Sequence, residues 1–200
     1  MAQLEFSLGV RSSYYFRVNR NVYKEELIKG IFRLGHEVGY HYETMDTCRG
    51  RIEEAIKEFR TNLNKIRELV SVSTICRHGS PRSKWDNGDL WKTYDYRSLG
   101  ILGEPYIDVD FSKVLYLTDT GRRWDGAKVS VRDKVAGSGL HRQYRFVKTP
   151  DIARALADGR FPDQAMLTVH PQRWRDDGGG WTWEYARQRL KNVVKRFVAR

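Results

Sequence analysis

Histidines and carboxylates are the side chains in this sequence that could handle metal ions and protons, and several fall at telling places. Residues 35–46, GHEVGYHYETMD, hold two histidines, two glutamates and an aspartate, with two glycines among them. Imidazole suits zinc and similar divalent ions, and a catalytic site built from it takes about three protein ligands with a position left open for water. His41 ends a short strand expected to begin near Glu37, His78 follows a strand ending at Cys76, and His170 follows the apolar run MLTV. In parallel α/β architectures the binding and catalytic groups gather where strands run out at their carboxyl ends. Three of the five histidines share that kind of position. Glu43, two residues past His41, projects to the same side and reads equally as a ligand, base or orienting group, or as a surface carboxylate. His36 falls on the opposite face of an extended strand from His41, which favours packing. His141, among the basic residues of HRQYR, reads as a surface group. Asp119 and Asp125 are expected to make turns or caps.

The elements that must position these groups alternate. Residues 12–18, SSYYFRV, suit a strand, and Leu27, Ile28, Ile31 and Leu34 then mark a helical face that stops at Gly35. After the strand from Glu37, the positions Ile52, Ala55, Ile56, Phe59, Leu63, Ile66 and Leu69 recur at helical spacing. VSTIC, residues 72–76, predicts a buried strand leading into a turn-rich loop, RHGSPRSKWDNGD. Strand and helix in alternation favour a mostly parallel sheet with helices outside. Residues 91–135 offer short strand-like runs at 114–117 and 129–131, without an assigned topology. A cap at Thr149 with Pro150 in the first turn predicts a helix closing at Gly159. AMLTVHPQRW then runs from a buried strand into a polar end, and Trp183, Ala186, Leu190, Val193, Val194 and Phe197 mark a terminal amphipathic helix.

A chain of 200 residues with no low-complexity tract and no linker is expected to build a single domain, residues 1–200. Its opening residues carry neither a basic leader nor an apolar run, and no window is long enough to span a bilayer, so the expected location is cytoplasmic. Cys48 and Cys76 are too few and too far apart for a disulfide scaffold or a CxxC zinc pair, and read as buried or half-buried thiols. The formal net charge of +11 favours anionic partners without choosing among them. Nucleic acid is not an expected partner, because there is no zinc-finger spacing, no GxxxxGK[ST] loop and no aromatic RNP-like block.

GHEVGYH at residues 35–41 resembles the GHE[IV]GxH segment of the polysaccharide deacetylases, the carbohydrate esterases related to chitin and chitooligosaccharide deacetylases. RHGSP at 77–81 stands where that family has an arginine- and proline-containing active-site loop, and LTVHP at 167–171 resembles its late strand ending in a catalytic histidine. YYFR at 14–17, GEPY at 103–106, YLTDTGR at 116–122 and HPQRW at 170–174 are similar to blocks of a divergent, deacetylase-like branch.

The resemblance implies a distorted (β/α) barrel in which a divalent metal, expected to be zinc, polarises an N-acetyl carbonyl and activates water while an aspartate base and a histidine acid move protons. Carried over position by position, His41 is a metal ligand, His170 the acid and Arg77 a group orienting carboxylates or substrate, with His78 a further candidate ligand. Thr44 occupies the place of the family's second metal histidine, so a ligand is expected from Glu43 or His78. The family opens on a strand ending in an aspartate pair, and no aspartate precedes Ser12. The barrel is therefore expected to be incomplete at its N-terminus, exposing a sheet edge that favours a homodimer. Trp85, Trp91, Trp124 and Trp174 lie in or beside expected loops, and Trp124 and Trp174 are expected to line a saccharide cleft. The expected activity is hydrolysis of the acetyl amide of an N-acetylated saccharide or precursor, as in surface-polysaccharide biosynthesis. The alternative is an inactive relative that binds saccharide or a partner.

Overall fold

The computed structural model describes residues 1–79, 83–125, 135, 139–174, 177–180 and 182–188. The chain divides into two compact units, Met1–Val109 and Asp110–Arg200. Expectations for the loop at 80–82, the strand at 129–131 and the terminal helix beyond residue 188 lie outside the described residues, as does the side chain of His141.

The first unit opens with a short helix, α1 (Ala2–Ser7), and then winds strand and helix in turn: β1 (Ser13–Phe16), α2 (Glu25–Arg33), β2 (Glu37–Tyr42), α3 (Thr44–Thr47), α4 (Ile52–Arg67) and β3 (Ile75–Arg77). The three strands are parallel in the order β1-β2-β3, with Tyr15 opposite Gly39 and His41 opposite Cys76. Alternation along β2 turns Val38, Tyr40 and Tyr42 into one core with Ile28 and Ile31 of α2 and Ala55, Phe59, Leu63 and Ile66 of α4. Phe59, wholly buried, meets the Tyr40 and Tyr42 rings at 5.2 and 5.6 Å. Trp91 closes the cluster against Phe59 at 4.8 Å and gives its indole N–H to the Tyr42 hydroxyl at 2.8 Å. On α4 the buried positions are the ones the sequence displays at helical period, whereas on α2 Ile28 and Ile31 are buried and Leu27, expected on the same face, is 52% exposed.

Beyond β3 the chain makes two 3₁₀ turns, Asn87–Lys92 and Tyr96–Leu99, and the short helix α5 (Pro105–Asp108). Between them residues 102–103 lie alongside β3: Thr74 bridges Gly103 in parallel, and Leu102 donates its N–H to the Ser73 carbonyl at 2.7 Å. Each new strand is thus added beside the last with its direction unchanged, the winding a (β/α) barrel uses. Among the described residues the sheets are small and parallel and no barrel closes.

Among its described residues the second unit has one parallel pair, β4 (Leu115–Thr118) with β5 (Ala165–Thr168), and between them α6 (Leu140–Gln143) and α7 (Thr149–Ala157). Its core is Leu115, Leu117, Trp124, Phe146, Ile152 and Ala155. Thr149 is the first helical residue of α7 and not its cap. The cap position is Lys148, whose N–H goes to the Asp151 carboxylate at 2.8 Å, and the Thr149 hydroxyl accepts the Trp124 indole N–H at 3.0 Å. Among the described residues no helix is long and apolar enough to cross a membrane.

Gly39 carries the tightest demand in the first unit. A Cβ there would lie 2.5 Å from Tyr15 Cδ1 and 2.9 Å from the Thr74 carbonyl oxygen, one a ring braced by its Thr74 hydroxyl contact and the other backbone. Gly39→Ala is expected to destabilise the protein by about 1–3 kcal/mol through overpacking, read from the urea midpoint. An unchanged midpoint would show that the Tyr15 ring yields freely.

Candidate functional site

In the first unit the polar groups stand at the carboxyl ends of the strands, where backbone groups leave the sheet ladder. His41 is the penultimate residue of β2, and its Nδ1 lies 2.9 Å from the carbonyl of Cys76, its partner in register. A carbonyl can only accept, so Nδ1 carries the hydrogen and Nε2 presents a lone pair. His78 Nδ1 meets that lone pair at 3.1 Å, the two rings edge-on with centroids 4.9 Å apart. This is the arrangement in which a backbone carbonyl fixes the tautomer of a metal-binding imidazole. An ion taking both facing nitrogens would replace the proton that His78 now supplies.

The sequence therefore named two nitrogens that do come together. Glu43 is differently placed: its Oε1 accepts from Arg17 Nε at 3.0 Å and from Asn19 Nδ2 at 3.4 Å, and its Oε2 pairs with Arg17 Nη2. A paired and charge-assisted carboxylate of this kind is committed to its arginine. Among the described residues no group of three or more His, Cys, Asp or Glu side chains is arranged to hold a metal ion. The donor set fits two positions of a zinc site and supplies no third. His36 is buried, its ring nitrogens facing the Ser12 N–H and the Ala2 carbonyl, which ties α1 and the start of β1 to β2.

Arg77 ends β3 with its guanidinium 3.4 Å from Asp86 and over the Tyr106 ring at 5.2 Å. Its main-chain N–H goes to Oε1 of Glu104 at 2.9 Å. Glu104 is wholly buried at the N-terminus of α5, and its Oε2 has no hydrogen-bond partner among the described residues. Burial pushes its pKa up to about 7, against the opposing pull of the Arg77 N–H and charge and of the Tyr106 and Ile107 amides. A carboxyl that holds its proton near neutrality in such a place is a group sequence reading missed. Its position before Pro105, at a helix start, and its place in the GEPY block hinted at it.

In the second unit the strand ends carry another pair. Asp119 follows β4, and its N–H continues the ladder to the Thr168 carbonyl at 3.1 Å. Its carboxylate takes His170 Nδ1 at 2.5 Å on Oδ1, and on Oδ2 the His170 main-chain N–H and the Trp174 indole N–H, each at 3.0 Å. Arg173 reaches Oδ1 at 3.2 Å and also the Asp119 carbonyl. Burial opposes ionisation of Asp119, but the hydrogen bonds from His170 and the His170 and Arg173 charges outweigh it and hold the carboxyl below the usual aspartate range. An ionised Asp119 must accept from Nδ1, so His170 is left with Nε2 as its working nitrogen. Asp119 does open a turn as expected, its carbonyl accepting the Arg122 N–H at 2.9 Å, but its side chain goes to a histidine 51 residues away. Asp125 is likewise an ion-pair residue, bonded by Arg123 at 2.9 and 2.7 Å.

No family model, no curated protein and no solved structure matches this chain. Function has to be argued from the side chains themselves.

The two tryptophans named for saccharide stacking part company. Trp124 is buried in the core of the second unit, whereas Trp174 leaves 47% of its surface exposed beside it, the ring centroids 6.3 Å apart. Trp85 instead packs onto Gly50, whose φ of +78° no side chain readily adopts.

Two outcomes follow for solution experiments. A folded-state pKa raised above the ordinary 4.5 means that the native protein keeps a proton the unfolded chain has released, so Glu104 lowers stability as pH rises from 4.5 to about 7. The stability of the parent relative to Glu104→Gln is expected to fall across that window in urea titrations. A flat difference would mean a normally titrating carboxyl. Trp124→Ala is expected to cost about 3–5 kcal/mol, and Trp174→Ala much less, in the same assay; equal losses would place both rings in the core.

Proposed function

We propose that this chain is a polysaccharide-deacetylase-like hydrolase that removes an acetyl group from an N-acetylated saccharide or a related amide. The observation that carries the reading is the buried Asp119 carboxylate holding Nδ1 of His170 at the ends of two adjacent parallel strands. Hydrolysis of an amide requires the departing nitrogen to gain a proton as its bond to carbon breaks. His170 is suited to give it: Asp119 orients the ring, its negative charge stabilises the imidazolium, and Nε2 is the end directed away from that anchor. Arg173 offsets the buried charge of Asp119 and keeps the carboxylate in place when His170 is neutral. The exposed ring of Trp174, fixed through its N–H to the same carboxylate, offers a flat face for a sugar.

In the first unit, His41 and His78 offer two nitrogens to a divalent ion, with zinc the expected one. Such an ion, when bound, lowers the pKa of water and polarises a carbonyl. The lack of a third donor among the described residues favours a second reading, a saccharide-binding or interaction protein of the same ancestry without catalysis.

Acetate release from chitooligosaccharide by zinc-loaded protein, measured with bound zinc per chain, decides between them. The hydrolase reading expects one equivalent of zinc that His41→Ala removes, and a loss of rate of about 10²–10⁴ in His170→Asn with saccharide affinity kept. Saccharide binding without acetate release establishes the second reading, and neither binding nor release refutes both.

A further inference from the structure

Asn87 opens the first 3₁₀ turn after β3 and is almost completely buried. Its side-chain amide has no unused valence. Oδ1 accepts the main-chain N–H groups of Met45 at 3.0 Å and Asp46 at 3.2 Å, while Nδ2 donates to Asp46 Oδ2 at 3.1 Å and to the His78 carbonyl at 2.8 Å. The orientation of the amide is fixed by its neighbours, because two N–H groups require the oxygen and a carboxylate and a carbonyl require the NH₂.

The consequence lies in what those four partners belong to. Met45 and Asp46 lie in the first turn of α3, whose cap residue, Glu43, serves neither N–H with its side chain; the Asp46 N–H is shared between Asn87 and the Glu43 carbonyl at 3.0 Å. That turn follows directly from the strand bearing His41. The His78 carbonyl belongs to the segment leaving β3, whose N–H is already given to the Tyr42 carbonyl at 2.8 Å. One buried side chain from a third segment thus joins the exits of β2 and β3, and His78 is held at both its N–H and its C=O. Glu104, through the Arg77 N–H, holds the preceding residue. The main chain at 77–78 has little freedom left.

We propose that Asn87 is a positioning residue that sets the spacing of the His41–His78 pair, acting through the His78 carbonyl. Where the pair binds an ion, as the functional reading above requires, Asn87 then controls affinity without being a ligand; outer groups of this kind typically change metal affinity by about 10–100-fold. The proposal about geometry stands apart from that reading, and the experiment separates them.

Asn87→Asp keeps the acceptor for the two α3 amides and removes both donors, placing a carboxylate against Asp46 and against the His78 carbonyl. Combining it with Asp46→Asn relieves the repulsion and restores a hydrogen bond across positions 46 and 87, yet leaves the His78 carbonyl without its donor. Nuclear Overhauser contacts between the two histidine rings report their approach, cobalt titration by absorption reports affinity, and thermal unfolding reports stability. The expected result is that the double variant regains most of the stability lost in Asn87→Asp, while the ring contacts stay weak and cobalt affinity stays about tenfold or more below the parent. Ring contacts at parental strength in the double variant would overturn the proposal, as would a double variant that cannot fold, since Asn87 would then be a fold determinant only. A parent protein that binds no cobalt would defeat the metal reading, and the ring contacts would still decide the role of Asn87.

Discussion

The parallel register of β2 and β3 is the constraint from which the first unit follows. With His41 opposite Cys76, the Cys76 carbonyl fixes one imidazole nitrogen and turns the other outward. A shift by one residue would exchange the faces of β2. Tyr40 and Tyr42 would leave Phe59, and His41 would enter the apolar core. The same alternation therefore secures the core on one side and aims the polar group on the other, and Gly39 is where the two demands meet, because Tyr15 needs the space a side chain would fill.

Buried polar groups in this protein are organised by side chains that reach main-chain atoms of distant segments. Asn87 reaches two strand exits, Glu104 reaches Arg77, and Asp119 reaches His170 through both ring and backbone. Such bonds are costly to leave unmade once desolvated, which lets a few of them determine loop geometry that apolar packing would leave loose. Glu104, with its pKa raised to about 7, and Asp119, held below the usual aspartate range, illustrate the two outcomes of burial. One carboxyl meets few countercharges and keeps its proton near neutrality; the other meets an imidazole, an arginine and an indole and gives it up.

What could be read in the sequence was whatever repeats over short distances. The helical period from Ile52 to Ile66, the strand beginning at Glu37 and the apolar run before His170 all depend on neighbours, and all form where the pattern places them. The convergence of His41 with His78 was legible for the same reason, since one ends a strand and the other follows one. Asn87 was hidden inside a stretch whose composition says only that it turns. The turn at Asp119 was legible, but the pairing of its side chain was not, because its partner lies 51 positions on. Thr149 falls one position inside the helix whose cap it was expected to be, and its hydroxyl serves the Trp124 indole, a tertiary contact that local preference does not foretell. The barrel implied by the family likeness rests on closure, a property of the whole sheet that no segment encodes by itself.

The separation of Asp119 from its partners also bears on how the protein is made. The strands of the first unit are neighbours along the chain, so their pairing can close while synthesis is still under way. The Asp119 carboxylate is translated well before His170, Arg173 and Trp174, and until they leave the ribosome it has water as its only adequate solvent. The end of β4 is therefore expected to stay open to water through the synthesis of some fifty residues, and a ribosome that stalls in that interval leaves behind a chain whose Asp119 carboxylate lacks the histidine, arginine and indole that hold it.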